Sequence, residues 1–105
     1  VNMGIGIKIT RERIESRIDK VRYSIIPDTT TTICAITMIN GFVVTSSSAC
    51  IDPAVFDRKT GEEIAYENAL EKIWDLEGYL LKERIYQDRK SDPTRSKIVW
   101  IEDAV

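Results

Sequence analysis

The sequence predicts a single α+β domain in which an antiparallel β-hairpin packs against one long C-terminal helix, with a shorter helix ahead of it. Three observations carry this. The stretch ICAITMINGFVVTSSSAC, Ile33 to Cys50, consists of two β-prone runs joined at Asn40-Gly41, the dipeptide best suited to a tight hairpin turn. No proline interrupts Glu62 to Arg89, where apolar side chains recur at helical spacing. Ahead of the hairpin, Thr10 to Arg22 shows a capped amphipathic pattern. A chain of 105 residues supports one core, burying roughly 60 to 70% of the surface its unfolded form exposes.

The first helix is expected over 11–22. Thr10 stands at the N-cap, Ile9 and Ile14 have hydrophobic-staple spacing, and Ile14, Ile18 and Val21 recur at i, i+4, i+7. Its other face mixes Arg11, Glu12, Arg13, Glu15, Arg17, Asp19 and Lys20, the composition of a solvated surface. IIPDTTTT follows as a connector: Pro27 ends regular structure, Asp28 favours a turn, and the threonines lead into a strand.

The hairpin is expected over 31–50. A two-residue Asn-Gly turn sets Ile39 opposite Phe42, Met38 opposite Val43, Ile36 opposite Thr45 and Cys34 opposite Ser47. In that register Ile33, Ala35, Ile39, Phe42 and Val44 share one apolar face, while Ile36, Met38 and Val43 share a smaller one. Cys50 lies three rungs beyond Cys34, about 10 Å along the strand, which is farther than a disulfide spans. Both cysteines are therefore read as reduced. Without histidine or a CxxC pair, a metal or redox site is hard to build. The Ser46, Ser47, Ser48 run is read as turn chemistry rather than an anion site.

IDPAVFD places Asp52 at an N-cap and Pro53 at N1, giving a helical turn over 52–57 that presents Val55 and Phe56. The long helix is expected over 61–89, opened by a capping box of Thr60 and Glu63. Its apolar stripe is Tyr66, Leu70, Ile73, Leu80 and Ile85, flanked by Ala69, Trp74 and Leu81. Glu77 falls at the edge of that stripe and needs an Arg or Lys partner, whereas Gly78 suggests a kink or the close approach of another backbone. Lys82, Arg84, Arg89 and Lys90 suit the negative end of the helix dipole. Past Pro93, residues 94–105 contain KIVWI, read as a tail or an edge strand.

Composition narrows function. Lys and Arg total 15 against 17 Asp and Glu, a net charge of −2, so nothing draws nucleic acid to the surface as a whole. No apolar run approaches the ~18 residues that span a bilayer, and the N-terminus lacks signal-peptide features, so a cytoplasmic protein is expected. There is no histidine base, Gly-rich phosphate loop or metal-spaced carboxylate set, and the glutamates Glu62, Glu63, Glu67 and Glu71 read as a hydrated face. The chain is therefore expected to bind rather than catalyse, with no cofactor and no metal.

Asn40-Gly41-Phe42, Ser48-Ala49-Cys50, Phe56-Asp57, Gly61, Ile64-Ala65, Asn68-Ala69 and KIWDLEGYLL from Lys72 to Leu81 together strongly resemble the small phage-protein family named for gene product 49 of phage N4 and gene 66 of phage Sf6. The resemblance runs from about Thr31 to Ile85; family members usually carry glycine where this chain has Ser46. The implied architecture is similar to that of phage anti-Thoeris sponge proteins, oligomers that hold cyclic ADP-ribose-type signals, and in some cases cyclic oligonucleotides, without degrading them. That resemblance implies a homo-oligomer, dimeric or higher, in the cytoplasm of the infected host, with a small nucleotide signal as its partner. The ligand pocket is expected between hairpin and long helix. Phe42, Phe56, Tyr66, Trp74 and Tyr79 are candidates to stack a base, and Arg58, Asn68, Arg84 and Arg89 to hold phosphates. The ligand-binding set is thus Phe42, Phe56, Arg58, Asn68, Arg84 and Arg89. The alternative is a phage early protein that inhibits a host protein by direct contact through the hairpin edge or the first helix.

Overall fold

The computed structural model describes residues 8–89. The KIVWI segment and the rest of 94–105, for which a tail or edge strand is expected, lie outside the described residues. The architecture is α+β: a three-stranded antiparallel sheet in the order β1-β2-β3, with β1 at Ile18–Ile25, β2 at Thr31–Met38 and β3 at Val43–Ala49. A short helix, α1 (Arg11–Ser16), precedes the sheet; a 3-10 turn (Pro53–Val55) and a long helix, α2 (Arg58–Arg89), follow it.

The expected 11–22 helix is the main departure. Thr10 caps it as expected, its hydroxyl accepting from the Arg13 amide at 3.1 Å, but the helix stops at Ser16 and the chain enters β1. Ile14, Ile18 and Val21 fit a helical period over that short window. Val21, Tyr23 and Ile25 also alternate with polar neighbours, and this second period wins because β2 is available to pair with it. The IIPDTTTT connector is then a hairpin loop. Pro27 and Asp28 take its central positions, Asp28 adopts φ 64°, and the Thr29 amide donates to the Ile26 carbonyl at 3.1 Å, as in a type II turn.

The second hairpin is slipped by one residue from the expected register. Ile36 faces Val44, Cys34 faces Ser46, and the loop holds three residues, Ile39 to Gly41. Met38 closes it with a 2.8 Å bond from its amide to the Phe42 carbonyl, and Gly41 supplies the left-handed residue at φ 92°. The slip has a tertiary cause. The Ile39 amide is taken by the Arg17 carbonyl at 2.8 Å, so it does not pair with Phe42. A one-residue shift exchanges faces, and Val44 joins Cys34, Ile36 and Met38 in the core, while Ile39 and Phe42 turn outward. Both cysteines are free; Ser46 opposite Cys34 is four residues from Cys50, and burial pushes the Cys34 thiol up.

The core lies between the sheet and α2, where Ala65, Ala69, Leu70 and Ile73 meet Thr32, Cys34, Ile36, Met38 and Val44, with Ile14 sealing one end. The helix begins at Arg58, earlier than expected, because Asp57 rather than Thr60 caps it. The Asp57 carboxylate accepts from both the amide and the hydroxyl of Thr60, and these bonds hold its carboxyl below the ordinary range. At about 48 Å, α2 is roughly twice the length of the strands it crosses; Ile73 and Glu77 are buried, whereas Trp74, expected to flank the apolar stripe, is exposed, as are Leu76 and Tyr79.

Two expectations inside α2 resolve differently. Glu77 has its partner: the Arg17 guanidinium donates to its carboxylate at 2.8 Å. Gly78 lies within the unbroken span of α2 and, among the described residues, has no backbone packed against it: a Cβ there would meet only the Ile9 side chain at 3.8 Å, ordinary contact. Gly78→Ala is accordingly expected to raise stability by up to about 1 kcal/mol. A urea midpoint that rises at constant slope is the expected reading; a fall would mean that something outside this chain packs on that spot.

One cluster joins the two helices. The Tyr66 hydroxyl donates to Glu15 at 2.7 Å, Arg11 bridges Glu15 at 3.3 Å and Glu67 at 2.8 Å, and its guanidinium lies over the Tyr66 ring, 5.8 Å from the centroid. The Tyr66 bond, more than Arg11, holds the Glu15 carboxyl below its ordinary value, while burial and that same bond push the Tyr66 phenol far up. A depressed carboxyl contributes stability above its unfolded pKa, near 4.5, and loses it as pH falls through the folded value. Tyr66→Phe should therefore melt lower than the parent at pH 7, with the difference closing below pH 4.5.

Candidate functional site

The open end of the second hairpin forms a cleft with the start of α2. Ser47, Ser48 and Cys50 from the end of β3, Phe56 from the loop, and Thr60 and Asn68 from α2 line a space of about 580 Å³. Local chemistry fixes its walls. Thr30 ties the loop to β2 by donating its hydroxyl to the Cys50 carbonyl, and the Cys50 thiol donates to the Asp52 carbonyl at 3.2 Å. Asp52 caps the 3-10 turn, accepting from the Ala54 amide at 3.0 Å, with Pro53 supplying a preset φ. That turn leaves Phe56 half-buried at the mouth.

The helix wall comes unusually close to the sheet. Gly61 packs against Thr32, where a Cβ would fall 2.8 Å from the Thr32 hydroxyl, and Ser48 donates to the Gly61 carbonyl at 2.7 Å. Farther along, the Asn68 amide donates to the Ser47 carbonyl at 3.1 Å and the Lys72 ammonium to the Thr45 carbonyl at 2.8 Å. The spacings match. Four helical residues advance about 6 Å and two strand residues about 6.6 Å, so side chains at i and i+4 reach carbonyls at j and j−2.

Of the six residues expected to bind ligand, Phe56 and Asn68 share this cleft. Asn68 does so with its amide nitrogen already committed to β3. Arg58 stands on the first turn of α2 beside Asp57, its side chain 66% exposed and paired with Glu62 at 3.0 Å. Arg84 and Arg89 lie about 24 and 31 Å along the helix from Asn68. Phe42 is at the opposite end of the hairpin, where it lines a smaller cleft of about 240 Å³ with Leu76 and Tyr79 above the Arg17–Glu77 pair. Lys72 was not among the expected site residues. The signal for it is the Asn68-x-x-x-Lys72 spacing, which acquires meaning only once α2 is known to cross β3.

Asp57 is the charged residue lining the large cleft. The surface is otherwise hydroxyls, peptide groups and apolar side chains, able to hold a flat, hydrogen-bonding molecule against Phe56. Among the described residues no group of three or more Cys, Asp or Glu side chains is placed to hold a metal ion, and no helix is long and apolar enough to cross a membrane. Cys34 is sealed in the core, away from the cleft.

No curated protein and no solved structure gives a significant match to the chain. Residues 9–85, which include α1, the whole sheet, the cleft and most of α2, match the profile described as phage protein (N4 Gp49/phage Sf6 gene 66) family. The match extends through β1 and α1, beyond the segment whose motifs carry the resemblance in sequence. The chain belongs to this phage protein family.

Proposed function

We propose that the protein is a phage anti-defence protein that sequesters a cyclic nucleotide-type immune signal, a cyclic ADP-ribose isomer or a cyclic oligonucleotide, without cleaving it, in the cytoplasm of the infected bacterium. The observation that carries this reading is the cleft of about 580 Å³, which falls within the range of small-molecule sites, offers Phe56 for stacking and hydroxyls for hydrogen bonding, and is lined by no histidine. Membership of a phage family supports the biological setting.

Phosphates need cations. Arg58 is the nearest of the expected arginines, and breaking its exposed pair with Glu62 costs little. Arg84 and Arg89 are too far along α2 to serve the cleft of their own chain, so in this reading they serve the cleft of another copy in a homo-oligomer. The expected result is a melting rise of several degrees with one class of cyclic nucleotide, recovery of that nucleotide intact after heating, and loss of the rise in Phe56→Ala and Arg58→Ala. A flat response to cyclic ADP-ribose isomers and cyclic dinucleotides alike, or recovery of a degraded nucleotide, would end this reading.

A second reading has its own observation. Phe42 is 56% exposed and Tyr79 73%, gathered with Val43 and Leu76 where the hairpin tip meets α2, and Ile39 in the hairpin loop is 58% exposed. Exposed aromatic and aliphatic side chains in one place suit inhibition of a host protein by direct contact. In that case Phe42→Ser abolishes capture of one bacterial protein while nucleotides produce no melting shift.

A further inference from the structure

The sheet has two edges, and they are finished differently. Along β3, Asn68 and Lys72 occupy the outward carbonyls of Ser47 and Thr45, closing that edge to a further strand. Along β1, among the described residues, the hydrogen bonds to the backbone come from β2 alone. A bulge at Asp19 interrupts the ladder, leaving residues 20–25 as a regular edge.

The side chains of that edge form two unlike rows. α2 lies across β2 and β3, so Val21, Tyr23 and Ile25, on the helix side of β1, are only half-buried. Lys20, Arg22 and Ser24 project from the opposite face, exposed. A strand added here would meet cations on one face and unfinished apolar surface on the other. From this pattern we infer that the outer edge of β1 is a strand-addition surface for an extended segment of a partner protein in which acidic residues alternate with β-branched apolar ones. The acids lie beside Lys20 and Arg22, and the apolar residues extend the core over Val21, Tyr23 and Ile25.

The same charges discriminate between occupants. Antiparallel pairing with β1 of a second copy, centred on Arg22, sets that guanidinium against its own duplicate. Centred on Val21, it sets Lys20 against Arg22. Like charges directly across a ladder disfavour both arrangements, leaving a second copy the register centred on Tyr23, where Arg22 meets only Ser24, while an acidic segment turns the same side chains into attractive pairs. This surface lies on the edge of the sheet opposite β3 and does not depend on the cleft binding a nucleotide.

The test uses the full chain and three capped eight-residue peptides: one alternating valine and glutamate, one alternating valine and lysine, and one with the valines and glutamates of the first in blocks. The alternating glutamate peptide should bind and slow hydrogen exchange at alternate amides within residues 20–25. Lys20→Glu combined with Arg22→Glu, both on the exposed face, should weaken that peptide by about tenfold or more and admit the lysine peptide instead. Three outcomes would overturn the inference. They are absence of binding by the alternating glutamate peptide or equal affinity for its blocked counterpart, protection mapping to β3 or the hairpin tip, and protection of β1 that rises with protein concentration without peptide, which would make a second copy the occupant.

Discussion

Arg17→Met is expected to destabilise the protein by about 3 kcal/mol, a large effect for one half-buried side chain. Glu77 is only 7% exposed, and Arg17 reaches its carboxylate at 2.8 Å from the turn that links α1 to β1. Methionine keeps much of the arginine stem but leaves a carboxylate shut away from water without a cation. The loss therefore reflects the desolvated partner more than the attraction removed. Arg17→Met with Glu77→Leu should recover most of the stability, because neither charge then needs compensation. Urea denaturation of the single and double variants reads this directly; a single variant within about 0.5 kcal/mol of the parent would show the pair to be no better than a surface contact. The main-chain bond from Ile39 to the Arg17 carbonyl is unaffected by either change, which keeps the comparison on the side chains.

That pair also shows what sequence could and could not supply. The requirement for a cation beside Glu77 was legible, since a carboxylate at the edge of an apolar helical stripe is costly alone. Which cation answers was not, because Arg17 is 60 residues away and reaches Glu77 only after the chain has turned from α1 into β1. β1 itself was hidden by a coincidence of periods: Ile14, Ile18 and Val21 satisfy a helix over about two turns, and only the presence of β2 selects the alternation of Val21, Tyr23 and Ile25. The hairpin, the Asp52-Pro53 turn and the proline-free helix were legible because each depends on neighbours in sequence. The register was not, because Arg17 takes the Ile39 amide.

The cleft follows the same division. Phe56 and Asn68 could be gathered from sequence, being on adjacent elements joined by a short loop. Arg84 and Arg89 belong to the same helix as Asn68, yet a continuous helix separates residues in proportion to their numbers. Phe42 follows the Asn40-Gly41 turn in either register, so it stands at the tip of the hairpin, the end opposite the large cleft. Asn68 came into view as a candidate phosphate ligand, and its amide proves to guard a strand edge.

Gly61→Ala is expected to cost about 2 kcal/mol, although alanine is intrinsically the better helix former by about 1 kcal/mol. The added methyl would fall 2.8 Å from the Thr32 hydroxyl, and Thr32 is fully buried, with that oxygen lacking a hydrogen-bond partner among the described residues. Thr32 is β-branched and held in a strand, so it yields poorly, and the methyl must push α2 away from β2. The same displacement would stretch the 2.7 Å bond from Ser48 to the Gly61 carbonyl and open the wall of the cleft. Thr32→Ala introduced beside Gly61→Ala removes the colliding hydroxyl and makes room for the new methyl. The two substitutions should then be coupled favourably by at least about 1 kcal/mol in a thermodynamic cycle. If the cleft takes a nucleotide, the ligand-dependent melting shift should fall in Gly61→Ala and return in the pair, tying recognition to the distance between helix and sheet. Strictly additive effects would instead show that the helix accommodates the methyl by moving elsewhere, and that Gly61 is dispensable to the approach it marks.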